Sequence, residues 1–530
     1  MSTPHTTGTT VRTNGMNMLV IMADQLRPQS LGVYGHPVVK SPNIDALGAS
    51  GVVFDSAYCV SPLCAPARFT LMAGQLSTGI QAWDNAAEFP ASVPTFAHYL
   101  RAMNYYTCLS GKMHFVGPDQ LHGFEDRVTT DVYPADFAWT PDMARPKERI
   151  EEWYHNMVNV MNAGVAAATH QFDYDEEVGF MAERRLYELA REPESTPFCL
   201  VASFIHPHDP YATRQRYWDR YDHDAIDLPR IPALVRDDLD PHSQRIFDGI
   251  ARDEFDISDE NIRNARHAYY GNISYIDDWV GRLLTTLDET GLRENTMVIF
   301  TSDHGDMLGE RGLWYKMSFL EPSARVPLIM SGPGITAGNR VASPVSHVDI
   351  APTLLDLANS SGAGDLPDPA DPLDGRSLLP LLGDEDADRT IYGEYTGECA
   401  LGPIFMIRRG HLKYIHGDAD PDQLFDLAAD PDEMSNLAND PAYADTVAAF
   451  AVEAAEKWNS AAITRDVIAS QRRRRAVHDG MVKGKRTSWD WHPPRDSAEE
   501  YLRSHQDVSA TDRKARFPVP PTPKPTRPRT

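Results

Sequence analysis

A cysteine and an arginine four residues apart, in Ser61-Pro62-Leu63-Cys64-Ala65-Pro66-Ala67-Arg68, are the side chains best spaced for chemistry in this sequence. Pro66 suits the first turn of a helix, and Phe69, Leu71 and Met72 continue a short apolar helix up to a break at Gly74. Cys64 then lies at a helix N-terminus, where free N–H groups favour negative charge. Arg68 follows one turn later on the same face, able to bind the same anion. A lone cysteine in an apolar run is more often a small core residue. A reactive reading therefore needs a metal and an anion site from elsewhere in the chain.

Apolar runs of strand length supply the candidates. Residues 18–23 form a continuous apolar run, expected as a central parallel strand, and end on Asp24-Gln25. A carboxylate there sits where open α/β sheets build their sites, although a turn or capping Asp reads the same. Residues 105–109 run into Gly111-Lys112-Met113-His114. On extended chain Lys112 and His114 face the same way, which suits an anion site; an exposed Lys and a surface His are the alternative. Residues 198–205 end in His206-Pro207-His208-Asp209-Pro210, whose prolines force a turn that presents the histidines. Residues 295–301 end in Ser302-Asp303-His304-Gly305-Asp306. Asp24, Asp303 and His304 beside a nucleophile loop would make a divalent-cation site of hard oxygens and one nitrogen. The next loop returns Lys316.

With 530 residues, the chain can bury one large core and a smaller second one. Its net charge of −26 disfavours nucleic acid and anionic membranes as partners. Five scattered cysteines imply a reducing compartment without a disulfide framework. The first 15 residues are Thr-rich, lack an apolar signal core and are expected to be disordered; the protein reads as cytoplasmic. Residues 261–287 read as a long amphipathic helix with Tyr270, Ile273, Ile276 and Val280 on one face. The fold class is α/β. Residues 16–385 form the expected catalytic domain and 386–465 a small α+β subdomain. Residues 466–530 form an extension, with a basic tetrad at Arg472 to Arg475 read as a solvated face and a proline-rich, disordered end at 517–530.

In their order along the chain, Asp24, Cys64-Ala65-Pro66-Ala67-Arg68, Gly111-Lys112-Met113-His114 and Asp303-His304-Gly305 resemble a type I sulfatase of the alkaline-phosphatase superfamily. The resemblance implies a large mixed, mostly parallel sheet sandwiched by helices. Residues 61–68, 85–88, 110–123, 153–156 and 206–211, with Trp489-Asp490 in the tail, are similar to the choline-sulfatases of bacteria. The implied cofactors are a formylglycine made from Cys64 by a maturation enzyme and a divalent metal, Ca2+ or Mn2+, on Asp24, Asp303, His304, residue 64 and Gln25. Many sulfatases carry an acid where this chain has Gln25 and Asn where it has His304; imidazole suits manganese better. The resemblance also implies roles for Arg68 in polarising the nucleophile and for Lys112 and Lys316 in holding the sulfate. His114 would be the base, and His208 or Lys316 the acid. Choline is the implied alcohol, held by Asn85, Trp139, Trp153, His155 and Glu394. Asp490 would reach a neighbouring subunit in a homodimer or homotetramer.

Two other readings are consistent with the sequence. A phosphonate or phosphate monoester hydrolase, or an arylsulfatase, would use the same metal site on the same fold. A silent choline-ester-binding protein would leave Cys64 unmodified.

Overall fold

A computed structural model of the chain describes residues 15–145, 155–191, 196–364, 366–383, 386, 388–484, 489, 512, 513, 516, 520 and 521. Its main sheet contains β1 (Asn17–Asp24), β2 (Val52–Phe54), β3 (Tyr106–Gly111), β4 (Asp126–Arg127), β5 (Phe198–Pro207), β6 (Thr296–Ser302), β7 (Leu328–Ser331) and β8 (Asn339–Val341). They lie in the order β8-β2-β7-β6-β1-β5-β3-β4. From β6 to β4 every pairing is parallel, whereas β7 runs antiparallel to both its neighbours. The sheet is thus mixed and mostly parallel. Met18 to Met22 are at most 1% exposed, which explains the uninterrupted apolar run: both faces of β1 are covered.

Four helices matter for the site: α1 (Cys64–Ala73), α2 (His170–Ala190), α3 (Asp259–Thr290) and α4 (Ile350–Ser360). Ser258 caps α3 in a reciprocal box with Asn261, and Gly291 closes it in the left-handed conformation. Its expected apolar face, Tyr270, Ile273, Ile276 and Val280, is fully buried. Helix α2 has no counterpart in the sequence reading, because its apolar positions are diluted by Asp, Glu and Arg on the outer face. It packs so closely on α3 that a Cβ at Gly179 would lie 2.4 Å from the Trp279 ring.

A second, antiparallel sheet holds β9 (Thr390–Tyr395), β10 (Ile404–Arg409), β11 (Leu412–Gly417) and β12 (Asp420–Asp426), in that order. Helix α5 (Ala444–Lys457) covers it, enclosing Phe405, Tyr414, Leu424, Phe450 and Trp458 in a core of their own. Helix α6 (Ser460–Met481) runs straight across the boundary expected at residue 465 and returns to the main body. There Val467 packs with Trp83 and Met143. The basic tetrad is only half a solvated face: Arg472 and Arg473 are exposed, but Arg474 is buried against Asp84 and Arg475 pairs with Asp142. Further on, Trp489 donates from its indole to the Ala135 carbonyl at 2.9 Å and meets Phe137 edge-on. Residues 1–14 and, apart from 520 and 521, residues 517–530 lie outside the described residues. All five cysteines are free. No described helix is long and apolar enough to cross a membrane.

Candidate active site

Parallel strands end on the same edge of a sheet, so whatever follows them converges. β1 and β6 are neighbours with Ala23 opposite Ser302, which sets Asp24 beside Asp303. β5 and β3 lie next in line and deliver His206 to Asp209 and Lys112 to His114 to the same edge. Gly111 must be glycine: its φ is 109°, and a Cβ would lie 1.9 Å from the Ser203 carbonyl oxygen. Helix α1 points its first residue, Cys64, at this edge. Asn85 Oδ1 accepts from the Ala65 amide at 3.0 Å and so satisfies one of the free donors of the α1 N-terminus.

Asp24, Cys64, Asp303 and His304 each offer one atom to a buried cluster in which all four atoms lie within 4.8 Å of one another. Cys64 Sγ is 3.2 Å from His304 Nε2. His304 Nδ1 faces the Gly305 carbonyl at 3.0 Å, so the proton sits on Nδ1 and the Nε2 lone pair points into the cluster. Asp24 Oδ1 is buried and has no hydrogen-bond partner among the described residues. An orphaned carboxylate oxygen among a second carboxylate, an imidazole and the side chain of residue 64 fits a divalent cation.

Arg68 holds the carboxylates from behind. Its Nε donates to Asp303 Oδ2 at 2.9 Å, Nη2 to Asp24 Oδ2 at 3.1 Å, and Nη1 to the Lys112 carbonyl and Ser203 Oγ. Four of its five N–H groups are thus engaged by the described residues. Lys112 Nζ pairs with Asp24 Oδ2 and lies 4.2 Å from the Tyr133 ring centre. Burial raises the Asp24 carboxyl, but Lys112 and Arg68 outweigh it and hold it down at about 2.

Gln25, expected among the metal ligands, has both ends of its amide hydrogen-bonded to protein. Its Oε1 accepts from Lys316 Nζ at 2.7 Å and its Nε2 donates to Asp306 Oδ2 at 2.8 Å, which fixes the amide facing the lysine. Lys316 Nζ also lies 2.9 Å from His208 Nε2. His208 Nδ1 faces the Asp209 carbonyl at 2.8 Å, leaving Nε2 as the acceptor of the lysine proton. Burial and the Lys316 charge push His208 well below the ordinary histidine range. Burial alone would lower Lys316, but residue 64, Asp209 and Asp24 outweigh it and keep the ammonium protonated.

His114 adopts a left-handed backbone, φ 58°, held by Asp131, which accepts from the amides of Met113 and His114 at 3.1 and 2.8 Å. Neither ring nitrogen of His114 has a hydrogen-bond partner among the described residues. Burial lowers its basicity while Cys64 acts in the opposite sense, so it is a neutral imidazole facing residue 64. Asp131 and Tyr133 escaped the sequence reading, since neither follows a strand end. Tyr133 touches Lys112, His114, Trp139 and His208.

The residues expected around the alcohol separate into groups. Trp139 lies edge-on to His114 at 5.8 Å, and His155 stacks on Tyr315 while its Nδ1 meets Asp209. Asn85 is engaged at the α1 N-terminus through Oδ1. Trp153 and Asp490 lie outside the described residues. Glu394 is engaged elsewhere: its oxygens accept from the Thr78 amide and hydroxyl and from the Trp458 indole, which ties it into the second core. Four residues on, Glu398 carries a second carboxylate. Its Oε2 is closed off without a partner, and its charge is felt by Lys316, Asp84 and Arg474. Burial, with Asp84 adding to it, pushes Glu398 up to about 7. The signal in the sequence was the repeat Gly393-Glu394-Tyr395-Thr396-Gly397-Glu398, which offers two acids and no way to choose.

Comparison with known proteins finds the family model described as Sulfatase over residues 16–360. The model for the C terminal of the choline sulfatase enzyme matches 465–517, and that for the N-sulphoglucosamine sulphohydrolase C-terminal region matches 309–459. A choline-sulfatase of Rhizobium meliloti (strain 1021) is 46% identical over 508 residues, covering 95% of this chain and 98% of its own. An arylsulfatase of Clostridium perfringens is 28% identical, covering 78% and 90%. Among solved structures, a phosphonate monoester hydrolase of Agrobacterium radiobacter aligns with a TM-score of 0.66 and 25% identity, covering 83% of this chain and 95% of that one.

Proposed function

The chain belongs to the sulfatase family and is a sulfuric ester hydrolase; from that premise we propose that its substrate is choline O-sulfate, released as choline and sulfate. The observation that carries the choice of alcohol is the 46% identity to a choline-sulfatase over almost the full length of both chains, tail model included. Glu398 and the aromatic rings of Trp139 and Tyr133 supply what a trimethylammonium group needs, a carboxylate and π faces.

A divalent cation bound by Asp24, Asp303 and His304, with residue 64 oxidised to formylglycine, supplies the Lewis acid and the nucleophile of the family's chemistry. Arg68 keeps both carboxylates ionised and fixed towards that cation. Lys112 and Lys316 place two ammonium groups where the sulfuryl oxygens gather charge. Neutral His114 takes the proton from residue 64 at a ring nitrogen when sulfate is released. Lys316 Nζ gives a proton to the departing alcohol oxygen, and neutral His208 Nε2, 2.9 Å away, accepts another of its hydrogens and so orients the ammonium group. With Cys64 only 1% exposed, a maturation enzyme must act before the chain closes around it. A homo-oligomer completed by the tail is part of the same proposal.

The test compares kcat/KM for choline sulfate, 4-nitrophenyl sulfate and a phenylphosphonate ester, with mass spectrometry across the peptide containing residue 64. Choline sulfate should lead by at least a hundredfold on protein carrying the aldehyde. A lead for the phosphonate ester would transfer the assignment to phosphoryl chemistry, and full activity with an intact thiol would end this reading.

A further inference from the structure

A cavity of about 720 Å³ opens between the main body and the second sheet. It shares no residue with the catalytic cluster: neither Asp24, Cys64, Lys112, His114, His208 nor Lys316 lines it. Its wall carries six arginines and six carboxylates, but these do not pair off. Each carboxylate already has a basic partner. Asp55 pairs with Arg340, Asp227 and Glu310 with Arg266, Asp432 with Arg230, and Glu321 and Glu433 with Lys413.

Arg311, Arg325 and Arg408 are left over, with no carboxylate partner among the described residues. Arg311 spends its Nη2 on the backbone carbonyls of Asp432 and Glu433, in a left-handed conformation (φ 60°). Arg408 is 5% exposed and donates to the Tyr58 hydroxyl and to the carbonyls of Gly410 and Leu412. Among the described residues Arg325 makes no side-chain hydrogen bond, and its Nε is buried without a partner. It lies directly opposite Tyr58 in a short antiparallel pairing, so Arg325 and Arg408 flank one tyrosine. Glu321 offsets them only in part: its Oε1 accepts from Tyr58 and Lys413 at 2.8 and 2.9 Å, and its one charge is shared among Lys413, Arg325 and Arg408.

Positive charge matched only in part, on two buried guanidinium groups and the half-buried Arg325, is costly unless an anion completes the match. It is also out of character for a chain of net charge −26. Arginine forks suit the oxygens of a phosphate or sulfate group. The Tyr34 ring, 5.9 Å from the Arg325 guanidinium, offers a flat face for an attached body, and the volume is in the range of small-molecule sites. We propose that this cavity is a second ligand site, separate from catalysis, for an organic phosphate or sulfate ester of about nucleotide size. Arg325 and Arg408 hold the anionic head, and Arg311 contributes long-range charge.

Calorimetric titration of the full chain with adenosine 5′-monophosphate, adenosine and inorganic phosphate tests this. The monophosphate should bind at least tenfold more tightly than either of the others. Arg325→Gln, which gives up no existing hydrogen bond, should weaken that binding at least tenfold while kcat and KM for sulfate ester hydrolysis stay unchanged. Arg408→Gln should weaken it as well. Equal binding of adenosine, equal binding of inorganic phosphate, or undiminished binding by Arg325→Gln would each overturn the proposal.

Discussion

Arg474 donates both arms of its guanidinium to the two oxygens of Asp84, at 2.6 and 2.7 Å, with both side chains buried. This pair joins helix α6 to the residue immediately before Asn85, whose side chain holds the first turn of α1 and therefore Cys64. Gln471 on the same helix adds a bond to Asp84 and accepts from the Met143 amide, near Trp139. The C-terminal helix is thereby tied to the segment that holds the head of α1.

Arg474→Ala leaves the Asp84 carboxylate buried without its partner. Breaking such a pair from one side costs about 3–5 kcal/mol. Thermal unfolding followed by calorimetry should show a lowered midpoint, and the double variant Arg474→Leu with Asp84→Leu should recover most of it. A single variant as stable as the parent would mean that the helix is only laid against the surface.

Cys64→Ala should abolish hydrolysis and leave the circular dichroism spectrum and the unfolding midpoint close to those of the parent. The thiol makes one hydrogen-bond contact, with His304, and the alanine keeps the Cβ at the head of α1. Turnover above background in this variant would remove residue 64 from the chemistry.

Glu398 and Glu394 should respond differently to the same change. Glu398→Gln is expected to raise KM for choline sulfate by at least tenfold with little effect on an uncharged aryl sulfate. Glu394→Gln, which disturbs bonds to Thr78 and Trp458, should lower stability and affect both substrates alike. The pH profile adds a sign. With Glu398 raised to about 7, the charged form that attracts a cation fills as pH rises and empties below 7. KM for choline sulfate should therefore increase about tenfold from pH 8 to pH 6, while Glu398→Gln and the aryl sulfate show no such slope.

Gln25→Glu should be harmful, although many sulfatases carry an acid at this position. The amide nitrogen that now donates to Asp306 at 2.8 Å would become a carboxylate oxygen facing another carboxylate. Burial already raises Asp306, so the pair would share a proton or push apart. A drop in the unfolding midpoint together with weaker metal retention, read by atomic emission after dialysis, is the expected result. Unchanged stability would show that Gln25 can turn to meet the metal.

The sequence by itself determined the strand ends. Apolar runs that finish on Asp24, on Lys112 to His114, on His206 to His208 and on Asp303-His304 read as buried strands, and parallel strands open their carboxyl ends on one edge. The meeting of Asp24, Cys64, Asp303 and His304 was legible for that reason. Partnerships between distant residues were settled only by the tertiary structure. Arg474 and Asp84 lie 390 positions apart, and a basic tetrad on a helix looks the same whether one face is buried or none. Whether Gln25 turned to a metal or to Lys316, and whether Glu394 stayed free or was bonded to Thr78 and Trp458, depended on which neighbours packing brought within hydrogen-bond reach. A buried polar group takes the partner that arrives, and its own sequence neighbourhood does not say which one that is.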